Sequence, residues 1–330
     1  MRIALLLLGT GIILLALLEL ALRVKYGLGY PPLYVADART GYRLAPNQRL
    51  RRRGHRIEIN QYSMRGPAIT PHRSIDTLRV LLLGDSIVNG GWWTDQSQLL
   101  SVIVEGALPT HLPEKFQRFE VLNASANSWG PRNELGYVRR FGTFEAQVVL
   151  LVLNTDDLFA IAPNAFELGR NPAYPTRRPP LALAEALARR RPRPLIPELQ
   201  ALHDQPGDRV GVNLEAIRQL HRLVQDSQGQ LLLAITPLRR ELDPDGPRDY
   251  EWVARQRLKE LALGQGIPYL DFLPRFKQGD YPGLYLDHIH LNAQGNAVVG
   301  QALAQFIADS WGKPAGGEAG SGDDPSYDLW

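Results

Sequence analysis

Val80-Leu81-Leu82-Leu83-Gly84-Asp85-Ser86-Ile87 is the stretch from which the fold can be read. The run before Gly84 is apolar throughout, so it reads as a strand buried on both faces rather than one with a wet side. It stops abruptly at Gly-Asp-Ser, three residues suited to a turn. A second stretch lies about 200 residues on, Tyr285-Leu286-Asp287-His288-Ile289-His290-Leu291-Asn292, just before a predicted C-terminal helix. It places an aspartate and a histidine three residues apart, close enough for one loop to present both. Serine, histidine and aspartate are the parts of a nucleophilic hydrolase site.

Between these stretches the chain alternates strand and helix signals, which argues for a parallel sheet with helices on both faces. Strands are expected at 79–83, 119–123, 148–153, 231–235 and 269–272. Helices are expected near 98–108, 132–141, 214–227, 250–263 and 293–310. Ligand sites in such sheets lie at the carboxyl ends of the strands. Ser86, Asn123, Asn154 and Thr236 all fall at such ends.

The order Gly-Asp-Ser after a strand, then Asp287-x-x-His290 and Asn292 before the last helix, resembles the first and last conserved blocks of the SGNH, or GDSL-type, hydrolases. The resemblance implies a flavodoxin-like three-layer α/β/α fold with a central parallel sheet. It also implies a serine esterase that uses Ser86 as nucleophile, His290 as base and Asp287 to fix the imidazole. An O-acetyltransferase of the same fold, or a catalytically degenerate envelope or polysaccharide-binding protein, would carry the same blocks. His288 is expected to be a pocket-rim or structural residue, and Asp85 to stabilise the turn and helix start.

The two middle blocks depart from that pattern. The block that carries a glycine reads Asn123-Ala124-Ser125-Ala126-Asn127-Ser128-Trp129-Gly130, so Ser128 takes the glycine's place unless Gly130 serves instead. The block that carries an oxyanion-binding asparagine reads Asn154-Thr155-Asp156-Asp157, with Asp156 at the asparagine's position. The oxyanion hole is therefore expected to draw on Ser86, Ser128, Asn154 and Asp156. Three readings stand open: Asn154 supplies the amide, Asp156 is protonated, or hydrolysis is weak or lost. Trp92, Trp93 and Asn127 are the candidate substrate-binding residues. No metal site and no cofactor are expected.

With 330 residues the chain can bury a full core, and its net charge of +3 is too small to argue for nucleic acid. It has no cysteine, which excludes disulfides and thiolate metal sites. Ile3 to Leu18 carries no charge, and Leu20–Leu22 extends the run past Glu19. That approaches the ~20 apolar residues that span a bilayer. The segment offers no good Ala-x-Ala cleavage point, so residues 1–25 are expected to form an uncleaved single-pass anchor with the catalytic domain outside the cytoplasm. Residues 26–56, with Arg39, Arg43, Arg49, Arg51, Arg52, Arg53 and Arg56 and no acid between Arg39 and Arg56, read as a solvated basic linker or a contact for anionic lipid. The segment Asn60-Gln61-Tyr62-Ser63-Met64-Arg65-Gly66 resembles an Asn-x-x-Gly-x-Arg-Gly element of anchored SGNH proteins, with Ser63 in place of the first glycine. The hydrolase domain is expected over 57–311, with an insertion at about 160–212. Residues 312–330 read as a disordered tail. The expected substrate is an ester-bearing envelope glycan or lipid.

Overall fold

The computed structural model describes residues 1–112, 115–279 and 282–311; the expected tail lies outside them. Helix α1 (Arg2–Tyr26) opens the chain and has no buried residue. It is long and apolar enough to cross a membrane. Gly27, in the left-handed conformation, ends it.

Two antiparallel hairpins follow, β1 (Tyr34–Asp37) with β2 (Gly41–Leu44) and β3 (Gln48–Arg52) with β4 (His55–Ile59). Much of the expected basic linker is thus ordered structure. Its arginines find acidic partners both near in sequence and far from it. Arg43 meets Asp37, Arg49 meets Glu58, Arg56 meets Asp95, and buried Arg52 meets Glu185 at 2.6 Å. The partners of Arg52 and Arg56, 133 and 39 positions away, left no local sign of folding.

The central sheet is built from β5 (Thr77–Gly84), β6 (Arg118–Ser125), β7 (Val148–Asn154), β8 (Gln230–Thr236) and β9 (Tyr269–Asp271). The spatial order is β6-β5-β7-β8-β9, all parallel. This is the flavodoxin-like arrangement, and its order reverses between β5 and β7. Alternate residues of β5 face opposite layers. Leu81 and Leu83 join one apolar core, while Leu78, Val80 and Leu82 join the other. That two-sided burial is why the strand reads as an unbroken aliphatic run.

The helices of the domain are α2 (Ser86–Asn89), α3 (Leu100–His111), α4 (Pro131–Phe141), α5 (Ala182–Arg190), α6 (Pro197–Asp204), α7 (Arg209–Asp226), α8 (Asp249–Gly264), α9 (Phe272–Lys277) and α10 (Ala293–Ser310). α4, α7, α8 and the hairpins cover the first core; α3, α9 and α10 cover the second. The insertion after β7 carries α5 and α6, and α1 packs along α5. Residues 269–272, read as one strand, divide: β9 ends at Asp271, whose carboxylate accepts from the Leu273 N–H and so starts α9.

Candidate active site

β5 delivers Ser86 to the point where the strand order reverses. Gly84 makes this possible, because a Cβ there would lie 2.5 Å from Val88 Cγ2 and 2.7 Å from the Val152 carbonyl oxygen. Asp85 caps the short α2, its Oδ1 accepting from the Ile87 N–H at 2.8 Å. The loop beyond α2 is held by buried Arg65, which donates to the carbonyls of Asn89, Gly91 and Thr94 at 2.8, 2.6 and 2.9 Å. Ser63, in the glycine's place two residues before Arg65, has φ +65°, the left-handed conformation that glycine adopts freely.

The loop carrying Asp287 and His290 is pinned on several sides. Tyr285 donates its hydroxyl to the Pro237 carbonyl at 2.7 Å, and the Leu286 N–H donates to the His290 carbonyl at 2.7 Å. Asn292 caps α10 through the Gly295 N–H and donates its amide to the Gly283 carbonyl.

These two elements bring Ser86 Oγ to 2.8 Å from His290 Nε2, and His290 Nδ1 to 2.7 Å from Asp287 Oδ2. The geometry fits a neutral imidazole that donates from Nδ1 and accepts from the serine hydroxyl. Asp287 Oδ1 also accepts the N–H groups of Ile289 and His290. Partial burial raises the Asp287 pKa, but the bonds from His290 and these amides outweigh it and hold the carboxyl below its ordinary value. The Trp93 ring lies 4.4 Å from the His290 ring, centroid to centroid.

The oxyanion candidates separate by their hydrogen bonds. Ser128 has φ +58°, and its hydroxyl pairs with Tyr174 at 2.8 Å. Among the described residues its N–H has no acceptor. The Gly130 N–H is taken by Asn133 Oδ1 at 3.0 Å, and a Cβ at Gly130 would lie 2.4 Å from that of Ala160. Gly130 is therefore needed for close packing beside α4, and its amide is occupied. Asn154 donates its side-chain amide to Asp85 Oδ2 at 3.0 Å and to Asp157 Oδ2 at 2.9 Å, so both amide hydrogens are engaged. Its Oδ1 accepts from the Asp156 N–H. The Asp156 side chain reaches the cleft, and its pKa is raised by burial, then by Glu251.

Behind Ser86 lies a buried acidic group that the sequence did not announce. Asp85, Asp157 and Glu134 are all buried, and neither Glu134 oxygen has a hydrogen-bond partner among the described residues. Burial, then the charge of Asp85, raises the Glu134 pKa well above its ordinary value. Asp157 is raised in the same direction, by burial and then by Asp85. It also reaches back to the Asn154 N–H at 2.9 Å and closes the 3-10 turn at 155–159.

The cleft over Ser86 holds about 540 Å³ and is walled by Trp93, Asn127, Ser128, Asp156 and His288. Trp92 is not among its walls. It lines a smaller neighbouring cavity of about 110 Å³, and Arg53 stacks on its ring at 4.7 Å. Trp93 lines both cavities, and the turn at 91–93 leaves Trp92 on the smaller one. The insertion completes the cleft with Tyr174, Arg193, Leu199 and His203, residues that carried no catalytic signature in the sequence.

The GDSL-like lipase/acylhydrolase family matches residues 82–298. No curated protein matches the chain. Among solved structures, Axe2, an acetylxylan esterase from Geobacillus stearothermophilus, is 16% identical with a TM-score of 0.47, over 69% of this chain and 93% of that one. A two-domain esterase active on acetylated mannans is 13% identical with a TM-score of 0.45, over 76% of this chain and 53% of that one. TesA is 14% identical with a TM-score of 0.45, over 69% and 97% respectively.

Proposed function

We propose that this chain, which belongs to the GDSL-like lipase/acylhydrolase family of ester-hydrolysing enzymes, cleaves carbon–oxygen esters through an acyl-enzyme on Ser86. The observation that carries this reading is the unbroken chain from Ser86 Oγ through His290 to Asp287. His290 Nε2 takes the hydroxyl proton as Ser86 Oγ bonds to the ester carbonyl carbon. Asp287 stabilises the imidazolium that forms. The tetrahedral intermediate then expels the alcohol, which leaves with the proton from His290. Water attacks the acyl-enzyme by the same relay and releases the carboxylic acid and Ser86.

The oxyanion is stabilised by the backbone N–H groups of Ser86 and Ser128. Asp156 occupies the remaining place, and there it helps only when protonated, as a hydroxyl donor. Its raised pKa and its place in the cleft support that role. Asn154, with both amide hydrogens on carboxylates, organises the turn beneath.

The cleft suits a small acyl group on a large polar alcohol. Trp93 offers an apolar face beside His290, while Asn127, Ser128, Tyr174 and Arg193 offer hydrogen bonds further out. An acetylated envelope glycan or lipid headgroup fits that lining, and O-acetyl transfer differs only in the alcohol that accepts the acyl group. The apolar α1 anchors the enzyme in a membrane, with the domain on the extracytoplasmic side. The test is turnover of nitrophenyl esters of increasing acyl length by the full chain and by Ser86→Ala. Acetyl should be preferred, and Ser86→Ala should be inactive. Equal rates for the two proteins would refute the reading.

A further inference from the structure

The junction of α1 with α5 carries a feature that ester cleavage does not need. Glu19, on the last turns of α1, accepts the Ala182 and Leu183 N–H groups at 2.8 and 2.9 Å. Arg23 pairs with Glu19 at 2.6 Å and donates to the Pro180 carbonyl at 3.0 Å. The first turn of α5 is thereby fixed beside residue 19 of the apolar helix. A hydrocarbon core of about 30 Å takes roughly 20 helical residues. Counted from Ile3, it reaches about residue 22, past the level at which α5 begins. If α1 spans a bilayer, as proposed above, α5 starts at the boundary between acyl chains and headgroups.

The residues there fit that position. Leu181 and Leu187 are 50% and 52% exposed, on a segment that buries Ala182 and Glu185. Beside them is a cavity of about 820 Å³ between the 169–180 loop and α5, lined by Arg177, Arg178 and Arg191 together with prolines. None of these three arginines is in an ion pair among the described residues. Arg178 and Arg23 both stack on the Tyr30 ring, at 5.0 and 5.6 Å. Glu185 also lines the cavity, but its carboxylate is engaged by Arg52, Arg189 and the Gly29 N–H. The site therefore offers unpaired guanidinium groups, whose fork matches phosphate oxygens.

We propose that this arginine-lined cavity at the foot of α1 binds the phosphate headgroups of an anionic bilayer, while Leu181 and Leu187 enter the acyl boundary. The inference rests on the spanning helix proposed above. It would fix the insertion, and with it Arg193, Leu199 and His203 on the cleft wall, relative to the membrane surface.

The full chain has no cysteine, so Leu187→Cys gives a single labelling site for an environment-sensitive dye. The labelled chain is placed in nanodiscs of phosphatidylcholine alone, or of phosphatidylcholine mixed with phosphatidylglycerol. The expected result is a blue-shifted dye, quenched by brominated lipid, in the mixed discs and a smaller shift in the neutral ones. Each arginine near an anionic surface is worth a factor of about five in occupancy. Combined Arg177→Glu, Arg178→Glu and Arg191→Glu should therefore abolish the difference, with ester turnover and melting unchanged. A dye that stays in water in both discs, with the chain retained in them, overturns the headgroup contact and leaves the spanning helix standing. A chain that does not enter discs overturns both. A shift that follows protein concentration rather than lipid charge assigns the face to a second copy, and also overturns the proposal.

Discussion

Asp156→Asn converts a titrating acid in the proposed oxyanion hole into a permanent amide donor. In the native chain burial and Glu251 raise the Asp156 pKa, partly offset by Arg240 and His288. As pH rises through that raised value the proton is lost, and a donor becomes a carboxylate facing a developing anion. One oxyanion donor is worth about 10²–10³ in kcat. Asp156 is exposed, so solvent screens its charge and the lower end of that range applies. Turnover of the native enzyme should thus fall as pH rises through the raised Asp156 value. Asp156→Asn should lose that fall, running about 10²-fold faster than the native chain above the Asp156 value and within a few-fold of it below. The assay is hydrolysis of a small activated ester across pH, corrected for spontaneous hydrolysis. Superimposable profiles for the two proteins would refute the placement of Asp156 in the oxyanion hole.

Ser86→Ala and His290→Ala should each remove nearly all turnover. Asp287→Asn should cost about 10⁴ in kcat, since an orienting acid fixes the tautomer without exchanging protons with substrate; single-turnover kinetics separate the three. Gly84→Ala should lower stability by about 1–3 kcal/mol, because its Cβ meets Val88 and the Val152 carbonyl at sub-van-der-Waals distance, and thermal melting reads this directly. Glu185→Gln should destabilise by about 3–5 kcal/mol, as it leaves the Arg52 guanidinium buried without its charge partner. Burial raises the Glu185 pKa, but bonds from Arg52 and Arg189 bring the net value below the ordinary one. The native chain should therefore carry this stability above the unfolded-state carboxylate pKa and lose it as pH falls through the folded value, while Glu185→Gln flattens that part of the melting curve.

The sheet was legible because two-sided burial writes itself into composition. Val80–Leu83 and Val148–Leu153 are apolar at every position, and no other parallel-sheet geometry asks for that. The proposed triad could be read from the sequence because Ser86 follows a strand end and Asp287 and His290 precede a helix. The N-terminal hairpins were not legible as a folded unit. Their stability comes from pairs such as Arg52 with Glu185, 133 positions apart, and a local window shows only a run of arginines. The oxyanion turn was half legible. The substitutions at Ser128 and Asp156 could be seen, but not that Asn154 is fully engaged by Asp85 and Asp157 or that the Gly130 amide is taken by Asn133. The contribution of Tyr174 and Arg193 to the cleft depends on how the insertion folds back, and no motif encodes it.

The central claim is that Ser86 is a nucleophile activated by His290. Its most direct test is covalent labelling of the full chain with a fluorophosphonate, read by intact mass and peptide mapping. The account predicts one adduct per chain, on Ser86, with labelling lost in Ser86→Ala and slowed by orders of magnitude in His290→Ala. A native chain that takes up no label, or takes it up on another residue at an unchanged rate in both variants, would contradict it.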